Sequence, residues 1–168
     1  LGLSAPETWE NVKNSVSGAG PITYFDSSKF KTHFACEVKG FDPFAYIKRK
    51  DANKMDLYAQ FAMVSAMEAV KDSEMNLETV DKNRSGVIYG VGIGGINTFE
   101  TEVSNYALHQ EDGPHYSPFF IPKMIADIAT GHISIYFGFH GPNFATTSAC
   151  ASSTHSLAAA FDLIRLGK

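Results

Sequence analysis

The succession of patterns along this 168-residue chain predicts an α/β fold. Three observations carry that expectation. Helical apolar spacing over 55–72 gives way to a short apolar run at 85–91. Helical character returns at 122–137 and is followed by a second strand-like run at 144–148. A last, almost wholly apolar helix then occupies 151–166. Strands that alternate with helices build a sheet covered by helices rather than a bundle or a sandwich.

Taken in order, Ser4-Ala5-Pro6-Glu7 reads as a capping box with proline in the first turn, and Trp9, Val12 and Val16 follow at helical spacing. Ser17-Gly18-Ala19-Gly20-Pro21 stops that helix, and 21–47 reads as loop with short turns. The basic run Lys48-Arg49-Lys50-Asp51-Ala52-Asn53-Lys54 leads into a helix whose apolar face is Met55, Ala59, Ala62, Met63, Ala66, Met67 and Val70. Ser85–Val91 reads as a buried strand. Asn97, with Glu100 three residues on, is the expected cap of the next helix, and Phe99, Val103 and Ala107 mark its inner face. Gln110–Pro114 is loop, Pro122 opens a helix running towards Phe137, Gly138–Pro142 turns the chain, and Phe144–Ser148 is a strand. Leu157, Ala158, Ala159, Ala160, Phe161, Leu163, Ile164 and Leu166 leave the last helix little polar face, so it is expected to be buried between layers.

Composition narrows the function classes. Charged residues make up 19% and apolar residues 44%, as in a globular protein. A net charge of −4 argues against a general nucleic-acid binder. There is no apolar run of about 18 residues for a membrane span and no signal-peptide pattern. The two cysteines, Cys36 and Cys150, lie far apart, which fits a reducing cytoplasm better than a disulfide framework. No cysteine or histidine pair has metal-ligand spacing. The opening at Leu1 without methionine, and the close at Leu166-Gly167-Lys168 where a helix would stop, give the expectation of a fragment.

Cys150 is the candidate nucleophile. It lies in Ala145-Thr146-Thr147-Ser148-Ala149-Cys150-Ala151-Ser152-Ser153-Thr154, where strand gives way to helix and small neighbours leave the sulfur approachable. The unpaired N–H groups of a helix N-terminus favour a thiolate, and a thiolate is suited to acyl transfer. A buried structural cysteine is the bland alternative. His155 is five residues on, about 140° around a helix, and so faces elsewhere. His132 and His140 precede the strand and reach the sulfur only by folding back.

Gly90-x-Gly92-x-x-Gly95 satisfies the dinucleotide fingerprint, and Glu111 and Asp112 lie near the expected acidic position. Those acids sit in a loop rather than after a strand, and a lone match is weak. Close backbone packing is the better use of these glycines.

The run Thr147-Ser148-Ala149-Cys150-Ala151-Ser152-Ser153 resembles the nucleophile motif of β-ketoacyl-acyl-carrier-protein synthases, in particular the type II elongating condensing enzymes. Gly90–Gly95, Ser117–Pro122, Gly141-Pro142-Asn143 and Arg49–Asp56 agree in order and spacing, so the resemblance covers essentially the whole chain. It implies a thiolase-like fold of layered αβαβα type, of which residues 1–168 are one partial N-terminal domain without the first strand and the C-terminal half. It also implies a homodimer working in the cytoplasm on acyl carrier protein. The implied reaction is decarboxylative Claisen condensation in fatty acid biosynthesis: acyl groups pass to Cys150 and then to a carbanion made from malonyl-carrier protein. No cofactor is implied beyond the phosphopantetheine that carries the substrates. The Cys150 N–H would form half the oxyanion hole, while two histidines, a lysine and the other half belong to the second half of the family fold. Ile93 would line the acyl pocket, and Phe120 would reach the neighbour's pocket across the dimer. Lys50 and Lys54 match carrier-protein docking positions, where a basic patch steers an acidic partner; Asn53 departs from the usual basic residue. A solvated helix start is the plainer meaning of that charge run, although lysines gain nothing from a helix N-terminus. A polyketide ketosynthase domain, and a non-catalytic fragment that only pairs with a partner or carrier protein, are the alternative readings.

Overall fold

The computed structural model describes residues 1–168, which form two compact units, Leu1–Asp42 and Pro43–Lys168. The first unit contains α1 (Ala5–Lys13) and two short antiparallel strands, β1 (Gly20–Pro21) and β2 (Phe34–Ala35). Ser4 caps α1 as the sequence predicts. Its hydroxyl accepts from the Glu7 N–H at 3.3 Å, and the Glu7 carboxylate accepts from the Leu3 N–H at 2.8 Å. Beyond the β1–β2 ladder, Glu37 accepts from both the N–H and the hydroxyl of Thr23 (2.9 and 2.7 Å), which holds its carboxyl below the usual range. Trp9 and Val12 are exposed on α1, which ends at Lys13, and Val16 is exposed beyond its end.

The second unit contains α2 (Arg49–Ala52), α3 (Leu57–Asp72), β3 (Val87–Gly90), α4 (Ile96–Leu108), α5 (Phe120–Met124), α6 (Ile128–Phe137), β4 (Asn143–Thr146) and α7 (Ser152–Arg165). β3 and β4 pair in parallel, from Val87 opposite Asn143 to Gly90 opposite Thr146. A parallel pair needs a crossover, and α4, α5 and α6 supply it. Side chains alternate across a strand. Val87 and Tyr89 therefore join Ala59, Ala62, Met63, Ile133 and Phe137 in the core formed with α3 and α6, while Gly90 faces α7. Asn143 pins β4 to α6: it accepts from the Thr130 hydroxyl at 2.5 Å and donates to the Thr130 carbonyl and the Ser134 hydroxyl. The α/β class, the apolar face of α3 and the strand at 85–91 follow the sequence expectation.

Elsewhere the structure differs from that expectation, each time because of a long-range contact. Asp56, 7% exposed, separates the basic run from α3 and caps two helices at once. One carboxylate oxygen accepts from the Tyr58 N–H at 3.3 Å, and the other accepts from the Thr98 N–H and hydroxyl at 3.1 and 2.5 Å. A carboxylate between two helix N-termini is favourably placed for both dipoles. Asn97 is consequently not a cap; α4 begins after Gly95 and has Asn97 in its first turn. The predicted helix from Pro122 to Phe137 is interrupted at Ile125, which is extended (ψ 138°). Other partners take the carbonyls there: Met124 accepts from the Gly95 N–H at 3.0 Å and Ile125 from the Tyr58 hydroxyl at 2.5 Å.

Two apolar helix faces are uncovered within residues 1–168. Phe99, Val103 and Ala107 are exposed on α4 rather than facing a core. α7 meets the sheet through a narrow stripe, with Ser152 and Ser156 buried and Ala159, Ala160 and Leu163 half-buried. Leu157, Phe161, Ile164 and Leu166 point outwards, Leu157 72% exposed. Small residues face β3 because the backbones approach so closely that no larger side chain fits between them. A Cβ on Gly90 would lie 2.5 Å from the Ser152 carbonyl carbon and the Ser153 nitrogen.

Two predictions follow from this packing. Gly90→Ala forces β3 and α7 apart and is expected to cost about 1–3 kcal/mol or more. Gly92→Ala, with nothing within 4 Å of its added Cβ, should stay within about 0.5 kcal/mol of the parent. Urea denaturation compares the two, and equal stabilities would contradict the close approach. The second prediction concerns alkaline pH. Burial, and secondarily the negative charges of Asp56 and Asp127, push the Tyr58 phenol up to about 12 from 10.0. As pH rises through 10 the unfolded chain releases this proton before the folded one does, so stability falls between pH 10 and about 12. Tyr58→Phe should remove that part of the alkaline decline in urea midpoint; an unchanged slope would contradict the burial.

Candidate active site

β4 ends at Thr146, and within six residues the chain reverses into α7 through a 3₁₀ turn, Ala149–Ala151, with Cys150 at its centre. Ala149 sits in the left-handed region at φ 49°, a conformation that costs a residue with a Cβ on the order of 1–2 kcal/mol. Strain of this kind persists only where surrounding contacts over-determine it. Those contacts are on hand. The Ser148 N–H donates to the Ser152 Oγ at 2.9 Å, and the Ala151 N–H donates to the Ser148 carbonyl at 3.1 Å. The Thr146 hydroxyl holds the Ser152 carbonyl at 2.9 Å. Ser152 Oγ also reaches the Ala149 carbonyl at 2.7 Å and the Val91 carbonyl at 3.2 Å. The turn so fixed presents Cys150 exposed, just ahead of a fourteen-residue helix.

From here a chain of contacts runs to the other predicted site residues. Val91 donates to the Thr146 carbonyl at 3.0 Å, which sets the loop 91–95 beside the Cys150 turn. Ile93 stands in that loop, 72% exposed. The loop then presses on α5. Gly94 has φ 106°, and Cβ atoms on Gly94 and Gly95 would lie 2.5 and 2.2 Å from the Met124 and Lys123 carbonyl oxygens. α5 begins with Phe120, half-buried in a row of aromatic rings: Tyr116 stacks on it at 5.4 Å, Phe99 lies at 6.3 Å, and Tyr106 lies 5.5 Å from Tyr116. Two backbone contacts thus link the segments that carry Cys150, Ile93 and Phe120. Gly90, Gly94 and Gly95 serve backbone packing, the use the sequence favoured over a dinucleotide loop, whereas nothing lies within 4 Å of a Cβ on Gly92.

Lys50 and Lys54 belong to a different neighbourhood, on and just after α2, where Lys50 is exposed and Lys54 half-buried. His132 of α6 faces this region. Burial pulls its imidazole below the ordinary range; nearby Asp51 opposes that effect and Lys54 adds to it. Its Nε2 is buried without a hydrogen-bond partner. His155 is exposed, and its Nδ1 lies 2.6 Å from the hydroxyl of Ser148, two residues ahead of Cys150. Cys36, in the first unit, is also exposed and unpaired. No group of three or more His, Cys, Asp or Glu side chains is arranged to hold a metal ion. No helix is long and apolar enough to cross a membrane.

Sequence reasoning passed over the residues that shape the turn. Thr146, Ser148 and Ser152 were counted only as small neighbours of the cysteine. The signal available was the density of hydroxyls around Cys150, which exceeds what room for a ligand requires.

The family described as "Beta-ketoacyl synthase, N-terminal domain" matches residues 1–168. The chain belongs to the β-ketoacyl synthase family. Among relatives, the 3-oxoacyl-[acyl-carrier-protein] synthase 2 of Staphylococcus aureus is 40% identical over 167 residues, covering 99% of this chain and 41% of that protein. The synthase of the same name from Vibrio cholerae is 36% identical over 167 residues, covering 99% of this chain and 40% of its own length. Solved structures agree on the fold. The ishigamide ketosynthase/chain length factor matches 98% of this chain and 41% of its own at TM-score 0.81 and 24% identity. A β-ketoacyl synthase from Burkholderia phymatum matches 95% and 40% at TM-score 0.77 and 20% identity. This β-ketoacyl synthase chain therefore has the thiolase-like α/β architecture over its described length. It spans about two fifths of the relatives it matches.

Proposed function

We propose that the protein is a condensing acyltransferase of fatty acid biosynthesis in which Cys150 accepts the growing acyl chain. The observation that carries this reading is the presentation of an exposed cysteine on a strained, hydroxyl-bound turn at the head of α7, in a chain of the β-ketoacyl synthase family. In the first step the Cys150 sulfur attacks the thioester carbonyl of an acyl-carrier protein. The Cys150–acyl bond forms, the carrier's sulfur–acyl bond breaks, and the carrier thiol leaves with the proton. In the second step malonyl-carrier protein loses carbon dioxide, and the resulting carbanion attacks the acyl-Cys150 carbonyl. A carbon–carbon bond forms, the Cys150–acyl bond breaks, and one proton from solvent returns the thiol. The chemistry as written needs no cofactor beyond the phosphopantetheine arm that carries both substrates.

Within this reading the Cys150 N–H contributes half of an oxyanion hole, where fixed donors stabilise the developing negative charge. Ile93 lines the acyl site. Phe120, oriented by its stack on Tyr116, extends the acyl pocket of a second copy in a homodimer. The groups that assist decarboxylation lie outside residues 1–168. Lys50 and Lys54 attract the acidic carrier protein. Two exposed, unpaired cysteines are in keeping with a cytoplasmic, reducing setting. Fatty acid rather than polyketide synthesis is favoured because the relatives at 36–40% identity are named 3-oxoacyl-[acyl-carrier-protein] synthase 2.

Incubation with a radiolabelled acyl-carrier protein tests the assignment. The parent is expected to become labelled on the peptide containing Cys150, and Cys150→Ala to lose that label and its condensing activity by at least about a thousandfold. Cys36→Ala should behave as the parent. Undiminished labelling of Cys150→Ala would overturn the assignment, as would labelling that maps to Cys36.

A further inference from the structure

We propose that Ser152 is a positioning residue that fixes the Cys150 turn to the loop bearing Ile93, so that one hydroxyl sets the place of the sulfur and of the acyl-site wall together. The inference rests on the reading of Cys150 as acyl acceptor and Ile93 as part of the acyl site. Ser152 is 3% exposed, two residues beyond Cys150, on the side of α7 where Gly90 admits the backbone of β3.

Its hydroxyl is bonded on both sides. It accepts from the Ser148 N–H at 2.9 Å, which holds the residue just before the left-handed Ala149. It has one proton to donate and two carbonyls in reach, Ala149 at 2.7 Å inside the turn and Val91 at 3.2 Å in the neighbouring loop. The proton is shared between the turn that carries the nucleophile and the loop that carries Ile93. The Thr146 hydroxyl, 2.9 Å from the Ser152 carbonyl, fixes the same residue from β4. Without the Ser152 hydroxyl, Ala149 loses a bond that offsets its strain, and the loop loses its side-chain tether to the turn. A displacement of the sulfur relative to the wall by a fraction of an ångström slows attack and blurs discrimination among acyl chains.

Ser156 supplies an internal control. It lies one turn further along the same face of α7 and is 7% exposed, but its hydroxyl bonds the Ser153 carbonyl of its own helix at 2.8 Å. The experiment measures acyl transfer from acyl carrier protein to the parent, Ser152→Ala, Ser156→Ala and Thr146→Val, with short and long acyl chains. Thermal melts run alongside. Ser152→Ala is expected to lower kcat by about tenfold or more, since small misplacements of reacting groups cost that much. It should also shift the short-to-long preference by roughly threefold, the scale of one lost hydrogen bond. Ser156→Ala should change neither. Thr146→Val should reproduce the Ser152→Ala pattern more weakly, and it decides the matter in the same terms if Ser152→Ala does not fold. Equal effects of the two serine variants, or a rate loss identical for every chain length, would overturn the inference alone. A parent that takes no acyl group on Cys150 would overturn the proposed function and this inference with it.

Discussion

Where β3 passes beneath the start of α7, backbone meets backbone with no side chain between them. Gly90 makes this possible, since any Cβ there would overlap the Ser152–Ser153 peptide. The contact decides which residues of α7 can face inwards: Ser152 and Ser156 are buried, and the bulky Leu157, Phe161 and Ile164 are turned away. It also decides how abruptly the chain must turn between β4 and α7. Five residues separate Thr146 from Ser152, and that reversal is accomplished by placing Ala149 in the left-handed region. The position of Cys150 is thus a consequence of sheet–helix spacing rather than of the cysteine's own contacts.

A strained turn needs bonds from outside itself, and here hydroxyls supply them. Thr146, Ser148 and Ser152 connect strand, turn and helix, and Ser152 reaches further, to Val91. The neighbouring loop then transmits position to α5 through Gly94 and Gly95, whose missing side chains let it lie on the Lys123 and Met124 carbonyls. The aromatic row that begins at Phe120 continues the same line. The Cys150 turn, the loop and the aromatic row are thereby linked in one run of backbone and ring contacts. The basic residues Lys50 and Lys54 lie on and just after α2 instead.

The sequence made local features legible and long-range ones much less so. Ser4 and Glu7 cap α1 within a single turn, and the apolar spacing of α3 needs only its own residues to be read. The strand at Val87–Gly90 was visible as an apolar run between turn signals. Asn97, by contrast, looks like a cap because its true competitor, Asp56, lies 42 residues from Thr98, the residue it bonds. The break at Ile125 was hidden for the same reason, since the Gly95 N–H and the Tyr58 hydroxyl that occupy the carbonyls come from distant segments. In α7 the count of apolar residues does not say which face meets the sheet. Only the contact with Gly90 shows that the helix turns its smallest residues to the sheet. The strand-to-helix junction at Cys150 is legible because its residues are consecutive in sequence, whereas the bond from Ser152 to Val91 spans 61 residues and leaves no periodic trace.

Native-state hydrogen exchange at the Ser148 amide measures the seating of the Cys150 turn most directly. That N–H points at the buried Ser152 hydroxyl, so its exchange reports whether strand, turn and helix are held as one piece. The account predicts protection comparable to Ile88 and Tyr89 in β3. Exchange as fast as that of an exposed loop amide such as His115 would show that the turn opens freely, and would contradict the claim that close packing at Gly90 fixes the position of Cys150.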